Sequence, residues 1–167
     1  MTPLLPFPGP EIVMNRRASM DEPYGTSRRE ILNLDAGREA TSTIACWPGY
    51  RPTPLIDLPG MARELDVKRI LYKDESRRFG LKSFKALGGA YAVSRLLKRI
   101  VSEELGRDVT ATDIAERRFE EIVAGITVTC ATDGNHGRSV AWGTHTFGCR
   151  CVIFVHSRVS DARAKAI

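Results

Sequence analysis

The run Tyr72-Lys73-Asp74-Glu75-Ser76-Arg77-Arg78-Phe79-Gly80-Leu81-Lys82-Ser83-Phe84-Lys85-Ala86-Leu87-Gly88-Gly89-Ala90-Tyr91 decides how this chain is read. It opens as a strand, breaks at a polar loop around Gly80 and re-enters as a helix just after Ser83, which places Lys85 in the first helical turn. Free N–H groups give a helix N-terminus partial positive charge, so a cation is disfavoured there. A lysine whose amine is neutral, or bound as an imine, escapes that repulsion, and desolvation or a neighbouring positive field favours the neutral form. The plainer alternative is a surface lysine lying along a short helix with its amine in water. Gly88 and Gly89 sit inside the helix, each costing about 1 kcal/mol relative to alanine. That loss implies the close approach of another backbone or of a flat ligand. Ala86, Ala90, Val93 and Leu97 recur at i, i+4, i+7 and i+11, so the helix turns an apolar stripe toward a core.

Further along, Gly125-Ile126-Thr127-Val128-Thr129-Cys130 is rich in β-branched residues and reads as a strand. It runs into the loop Thr132-Asp133-Gly134-Asn135-His136-Gly137, whose far side opens a helix from about Arg138 to Phe147. Gly148 stops that helix, and Cys149 to Val155 forms the next strand. Strand, glycine loop, helix and strand make a βαβ unit, with parallel strands and a right-handed crossover expected. A loop between a strand end and a helix start lets successive N–H groups converge on an anion. A dinucleotide-binding loop uses the same geometry, but its Gly-x-Gly-x-x-Gly spacing is absent. The structural alternative is a capped turn with Asn135 and Gly137 in left-handed conformations.

Ser83-Phe84-Lys85, the glycine-bearing helix behind it and the Thr132 to Gly137 loop together resemble the fold-type II pyridoxal-phosphate enzymes, the tryptophan synthase β and threonine dehydratase group. Within that group, Trp47-Pro48-Gly49-Tyr50-Arg51-Pro52-Thr53-Pro54-Leu55 and the aspartate at 133 resemble the diaminopropionate ammonia-lyases. The resemblance runs from about Trp47 to the last residue. It implies an α/β fold of fold-type II architecture, with parallel sheets flanked by helices and truncated at its C-terminal side. The division it suggests is an arm and helix over 1–46, the start of a larger cofactor domain over 47–90, and part of a smaller βαβ domain over 91–167.

The resemblance also implies roles. Pyridoxal 5'-phosphate would be the cofactor, with Lys85 as its Schiff-base lysine and Phe84 and Asn135 beside it, the asparagine hydrogen-bonding the ring hydroxyl. Thr132, Gly134, Asn135 and His136 would receive the carboxylate of an amino-acid substrate. Asp133, where the dehydratases usually carry a small residue, would take the α-proton. A carboxylate can do that when a neighbouring positive charge keeps it ionised. In the ammonia-lyases the matching aspartate serves the D-isomer, and a second one, later in the chain, the L-isomer. Lys85, once released, could give a proton to the leaving amine. The implied reaction is α,β-elimination of 2,3-diaminopropionate to pyruvate and ammonia, in a homodimer. A serine or threonine dehydratase and a non-catalytic relic of the same ancestry are the alternatives. Family enzymes are longer. The phosphate-gripping glycine loop, the second aspartate, the group facing the pyridine nitrogen and the C-terminal strands are missing here, so this portion is expected to be inactive alone and to expose apolar faces. Lys73 and Lys82 are expected to face solvent, and Ser139 stands where a second small glycine would be expected.

Composition excludes other classes. With 43% hydrophobic and 27% charged residues, the 167-residue chain is neither fibrous nor disordered and can form one core. No apolar run approaches the roughly 18 residues of a membrane span, and the proline-rich start lacks the pattern of a signal peptide, so a cytoplasmic location is expected. The net charge of +5 is scattered and not interleaved with aromatic residues, which argues against nucleic acid. Cys46, Cys130, Cys149 and Cys151 have no metal-ligand spacing and read as reduced structural thiols. His136, His145 and His156 form no zinc set. Met1 to Asn15 reads as an irregular arm, Arg28 to Thr43 as a helix, Leu58 to Glu64 as a short helix and Val67 to Lys73 as a strand. Thr110 to Asp113 reads as a capping box, and Ser160 as the cap of a last helix.

Overall fold

The computed structural model describes residues 14–17, 19 and 21–167, so most of the arm expected over Met1 to Asn15 lies outside the described residues. The chain divides into two units, Met1–Leu34 and Asp35–Ile167. In the first, α1 (Thr26–Ile31) is fastened by Tyr24, whose hydroxyl donates to the Leu32 carbonyl at 2.7 Å, and by an Arg28–Glu22 pair at 2.8 Å. The single helix expected over Arg28 to Thr43 is two. Leu32 takes extended angles (φ −141°, ψ 117°) and stops α1 before α2 (Leu34–Ala45) begins.

In the second unit, β1 (Leu55–Asp57) pairs antiparallel with β2 (Leu71–Lys73), with Leu55 opposite Lys73, and α3 (Pro59–Glu64) lies between them. Two expectations are corrected here. The strand expected from Val67 pairs only over Leu71–Lys73, because its partner is confined between Pro54 and Pro59, whose missing N–H groups cannot extend a ladder. This small sheet is antiparallel rather than parallel, and its residues are exposed on both strands. A 3-10 segment, Glu75–Gly80, follows β2.

The long helix α4 (Ala86–Leu105) buries the stripe its sequence announces, with Ala86, Ala90, Val93 and Leu97 all at 3% exposure or less. It ends at Gly106, which takes the left-handed conformation (φ 62°) that closes helices. The capping box forms as expected at the start of α5 (Ala111–Ala115). The Thr110 hydroxyl accepts from the Asp113 N–H at 3.1 Å, and the Asp113 carboxylate accepts from the Thr110 N–H at 2.9 Å. After the single turn of α6 (Glu120–Val123) comes β3 (Thr127–Ala131), then α7 (Asn135–Phe147) and β4 (Arg150–Phe154). β3 and β4 are parallel neighbours, Thr127 opposite Arg150 and Ala131 opposite Phe154, which is the βαβ unit read from the sequence. Side chains alternate along both strands. Val128, Cys130, Cys151 and Ile153 pack on the core, while Val152 and Phe154 are exposed on the other face.

The core lies between α4, α7 and the inner face of that sheet, around Leu97, Val101, Ile114 and Phe147. Full burial of a side chain such as Leu97 or Phe147 contributes about 1.5–3 kcal/mol. The four cysteines are free. The last helix, α8 (Asp161–Ala164), starts after Ser160, but the serine side chain does not make the capping bond expected of it. Among the described residues no helix is long and apolar enough to cross a membrane, and no group of His, Cys, Asp and Glu could hold a metal ion.

Candidate active site

Helices α4 and α7 run in the same sense, and their packing brings the two sequence motifs to one end of the unit. A Cβ on Gly89 would meet the Ser139 hydroxyl and come within 3.5 Å of Val140, and one on Gly143 would come within 2.9 Å of Ala90. The same Cβ on Gly143 would also lie within 3.6 Å of Val93, so from Gly89–Ser139 to Val93–Gly143 the contact advances by four residues along both helices together. Lys85 precedes Gly89 by four residues and Asn135 precedes Ser139 by four. At 1.5 Å per residue each lies about 6 Å up its own axis from the shared contact. The carboxyl ends of β3 and β4 open toward the start of α7, the end of a parallel sheet where α/β proteins bind ligands.

Lys85 stands one residue before the helix rather than inside its first turn. It is the N-cap of α4 (φ −60°, ψ −24°), its N–H donates to the Ser83 hydroxyl at 3.2 Å, and its carbonyl accepts from Gly89 at 2.8 Å. Its side chain is exposed, with Nζ 4.7 Å from the centre of the Phe84 ring, an arrangement in which the ring face offsets part of the unfavourable position. Phe84 is itself 55% exposed. Of the two glycines behind the lysine, Gly89 supplies the close helix contact and Gly88 faces open space with nothing within 4 Å. Lys82 and Lys73 are both exposed, as expected, and Lys73 also reaches a backbone partner. Its Nζ donates to the Thr53 carbonyl at 2.5 Å.

The Thr132 to Gly137 segment is less of a loop than its sequence suggests, since α7 begins at Asn135. Neither Asn135 nor Gly137 is left-handed. The early start has a visible cause. Thr132 extends the sheet by donating its N–H to Phe154 at 2.9 Å, and its hydroxyl accepts from the N–H groups of Gly134 at 3.3 Å and Gly137 at 3.1 Å. The Thr132 methyl lies where a Cβ of Gly137 would be, so only glycine fits there. Among the described residues nothing accepts from the N–H groups of Asp133, Asn135 and His136, whose side chains are exposed. Those open donors at the positive end of a 13-residue helix suit an anion. Two hollows adjoin them. One of about 510 Å³ runs along Ala131, Thr132, Asp133 and Phe154, and one of about 400 Å³ is lined by Asp133, Asn135, Arg138 and Arg163. Asp133 lines both, and Lys85 neither.

Sequence reasoning missed a buried polar cluster beside the site. Arg78 is 6% exposed and donates to both Glu75 oxygens (2.7 and 2.9 Å), to the Thr53 hydroxyl (3.1 Å) and to the Arg51 carbonyl (2.9 Å). Thr53 in turn donates to Glu75 at 2.5 Å. The Arg78 guanidinium holds the Glu75 carboxyl below its ordinary range, against the opposing effect of burial, and is itself pushed up by Glu75. Next to it Phe79 stacks on Trp142 of α7, with ring centres 4.6 Å apart, and Trp47 packs against both. The signal available in the sequence was the i, i+3 spacing of Glu75 and Arg78.

The sequence pattern of the family described as pyridoxal-phosphate dependent enzyme matches residues 46–167. The diaminopropionate ammonia-lyase of Escherichia coli K12 is 44% identical over 119 residues, which are 71% of this chain and 29% of that protein. The enzyme of the same name from Salmonella typhimurium LT2 is 36% identical over 148 residues, 86% of this chain and 36% of its own. Among solved structures, the apo form of the Escherichia coli enzyme superposes with a TM-score of 0.68 at 37% identity, covering 80% of this chain and 35% of that one. Its complex with an aminoacrylate-PLP azomethine reaction intermediate superposes with a TM-score of 0.65 at 38% identity, covering 80% and 32%. The chain thus spans about a third of the length of the curated relatives it matches. With nearly three quarters of its residues inside the family pattern and the lysine and asparagine motifs at one end of a parallel βαβ unit, the chain belongs to the pyridoxal-phosphate-dependent enzyme family.

Proposed function

We propose that this chain is the lysine-bearing portion of an ammonia-lyase that converts 2,3-diaminopropionate to pyruvate and ammonia by α,β-elimination. The observation that carries the reading is the parallel packing of α4 on α7, which puts Lys85 at the same end as the open N–H groups of Asn135 and His136. The kinship with enzymes named for that substrate supports the choice of reaction. The residues present fit pyridoxal phosphate. Gly88, three residues after Lys85, faces open space that leaves room for a flat ring, and Gly134 likewise meets nothing within 4 Å.

Bound there, the cofactor supplies an electron sink for the charge left at the substrate's α-carbon. Lys85 would hold it through Nζ, with Phe84 and Asn135 flanking the ring. The N–H groups of Asn135 and His136, in a segment fixed by Thr132 and Gly134, would take the substrate carboxylate and orient the α-hydrogen. Asp133, exposed and lining both hollows, would accept that proton, and the released Lys85 amine would protonate the departing β-amino group. The same reading takes the complete protein to be a cytoplasmic homodimer with an arm over 1–46, a larger domain beginning over 47–90 and part of a smaller one over 91–167. The exposed apolar residues Leu55, Leu71, Tyr72 and Phe154 are in keeping with further covering surface.

The test is pyruvate release by the complete protein from 2,3-diaminopropionate and from serine, each with Lys85→Ala alongside. Turnover of the diamino acid well above serine, lost in the variant, is expected. Preferential turnover of serine would make it a dehydratase, and turnover that survives Lys85→Ala would refute the reading.

A further inference from the structure

The turn between β2 and α4 is wound in a way its residues do not favour. Phe79, Gly80 and Lys82 have φ of 48°, 72° and 56°. Glycine adopts such angles freely, whereas a phenylalanine and a lysine are strained in them. Backbone strain persists where its surroundings over-determine it, and Phe79 is held from two sides. On one side the guanidinium of Arg78, buried with Glu75 and Thr53, ties the turn to the carbonyl of Arg51. On the other, the Phe79 ring is stacked on Trp142. The Leu81 N–H then closes the turn on the Arg78 carbonyl at 2.9 Å, and Lys85 follows four residues later. The segment leading to the lysine is therefore pinned to the 51–53 loop and to α7, the helix whose N-terminus carries Asn135 and His136.

We infer that Arg78, clamped by Glu75 and Thr53, is a positioning residue for Lys85, fixing the wound turn that delivers its Nζ to the end of the sheet. A lysine at position 78 would keep the charge but offer a compact point donor instead of a planar fork. It could not hold the Glu75 carboxylate, the Thr53 hydroxyl and the Arg51 carbonyl at once. The inference rests on Lys85 being the amine that holds the cofactor, and its test separates the two claims.

The complete protein is incubated with pyridoxal phosphate, trapped with borohydride and digested. Mass spectrometry then gives the ratio of label on Lys85 to label on the exposed Lys82, beside a circular dichroism melt. Wild type is expected to label Lys85 selectively. In folded Arg78→Lys the ratio falls about tenfold or more, since a misplacement of about 1 Å is enough for losses of that order. A general loss of stability moves the melt and leaves the ratio. If Arg78→Lys does not fold, Thr53→Val carries the same test, because it removes one bridging hydroxyl, leaves the ion pair and should lower the ratio in the same direction. A folded variant of either kind with the wild-type ratio overturns the inference. A wild-type protein that takes no label at Lys85 removes the reading beneath it, and the inference with it.

Discussion

Gly88 and Gly89 are adjacent in one helix, yet alanine at the two positions should act in opposite directions. Both substitutions remove the same helix-interior glycine penalty, about 1 kcal/mol. At Gly88 the new methyl meets nothing within 4 Å, so Gly88→Ala should raise stability by about 0.5–1 kcal/mol. At Gly89 it lands on the Ser139 hydroxyl, 3.1 Å from the Ser139 Cβ and 3.5 Å from Val140. Ser139 cannot step aside, being fully buried with its hydroxyl donating to the His136 carbonyl at 2.7 Å. Overpacking of this kind costs about 1–3 kcal/mol, so Gly89→Ala should lie below Gly88→Ala by that amount, the helix terms cancelling between them. Urea denaturation of the two variants and wild type measures the difference directly. Ser139→Ala in the Gly89→Ala background should recover most of the loss, because it removes the oxygen the methyl meets. Gly88→Ala, though more stable, should bind pyridoxal phosphate more weakly, because its methyl takes up space beside Lys85 that glycine leaves open. Equal stability of Gly88→Ala and Gly89→Ala, or a more stable Gly89→Ala, would refute the packing of α4 on α7 from which the site is built.

Thr132→Val removes the acceptor of the Gly134 and Gly137 N–H groups and should cost about 1–2 kcal/mol, with faster amide exchange at Gly137 and most of the loss restored in Thr132→Ser. Glu75 has a folded-state pKa below the ordinary value of 4.5, so its contribution to stability is complete above that pH and is lost as pH falls through the lower, folded value. The melting temperature of wild type should accordingly fall more steeply below pH 4.5 than that of Glu75→Gln, and parallel curves would count against the pairing with Arg78. In the complete protein, Asp133→Asn should slow elimination from the D-isomer of 2,3-diaminopropionate by about 10²-fold or more while cofactor binding is retained. Steady-state kinetics on the two isomers checks this, and an equal effect on both would remove Asp133 from the role of base.

What could be read from the sequence is what local chemistry dictates. The β3–α7–β4 unit announces itself through β-branched runs punctuated by Gly134, Gly137 and Gly148, and α4 through its apolar stripe. Lys85 and the Asn135 segment were legible as motifs because their residue types are unusual for where they stand. The rest depends on partners distant in sequence. The β1–β2 ladder is short because Pro54 and Pro59, which lack N–H groups, bracket β1, and its antiparallel sense is set by how residues 58–70 return the chain rather than by either strand's own sequence. Arg78 sits in a polar stretch that reads as solvated, and nothing local says that Thr53 and the Arg51 carbonyl, more than twenty residues earlier, will close over it. The left-handed Phe79 and Lys82 contradict their own propensities and are set by that same closure. The two glycines of α4 look alike on the page, and only the position of α7 distinguishes the one that touches a helix from the one that faces space.

The most direct measurement is the visible absorbance and induced circular dichroism of pyridoxal phosphate added to the complete protein and to its Lys85→Ala variant. The account predicts an imine band with an induced signal that is lost in the folded variant. An undiminished signal in Lys85→Ala, or none in wild type, would contradict it.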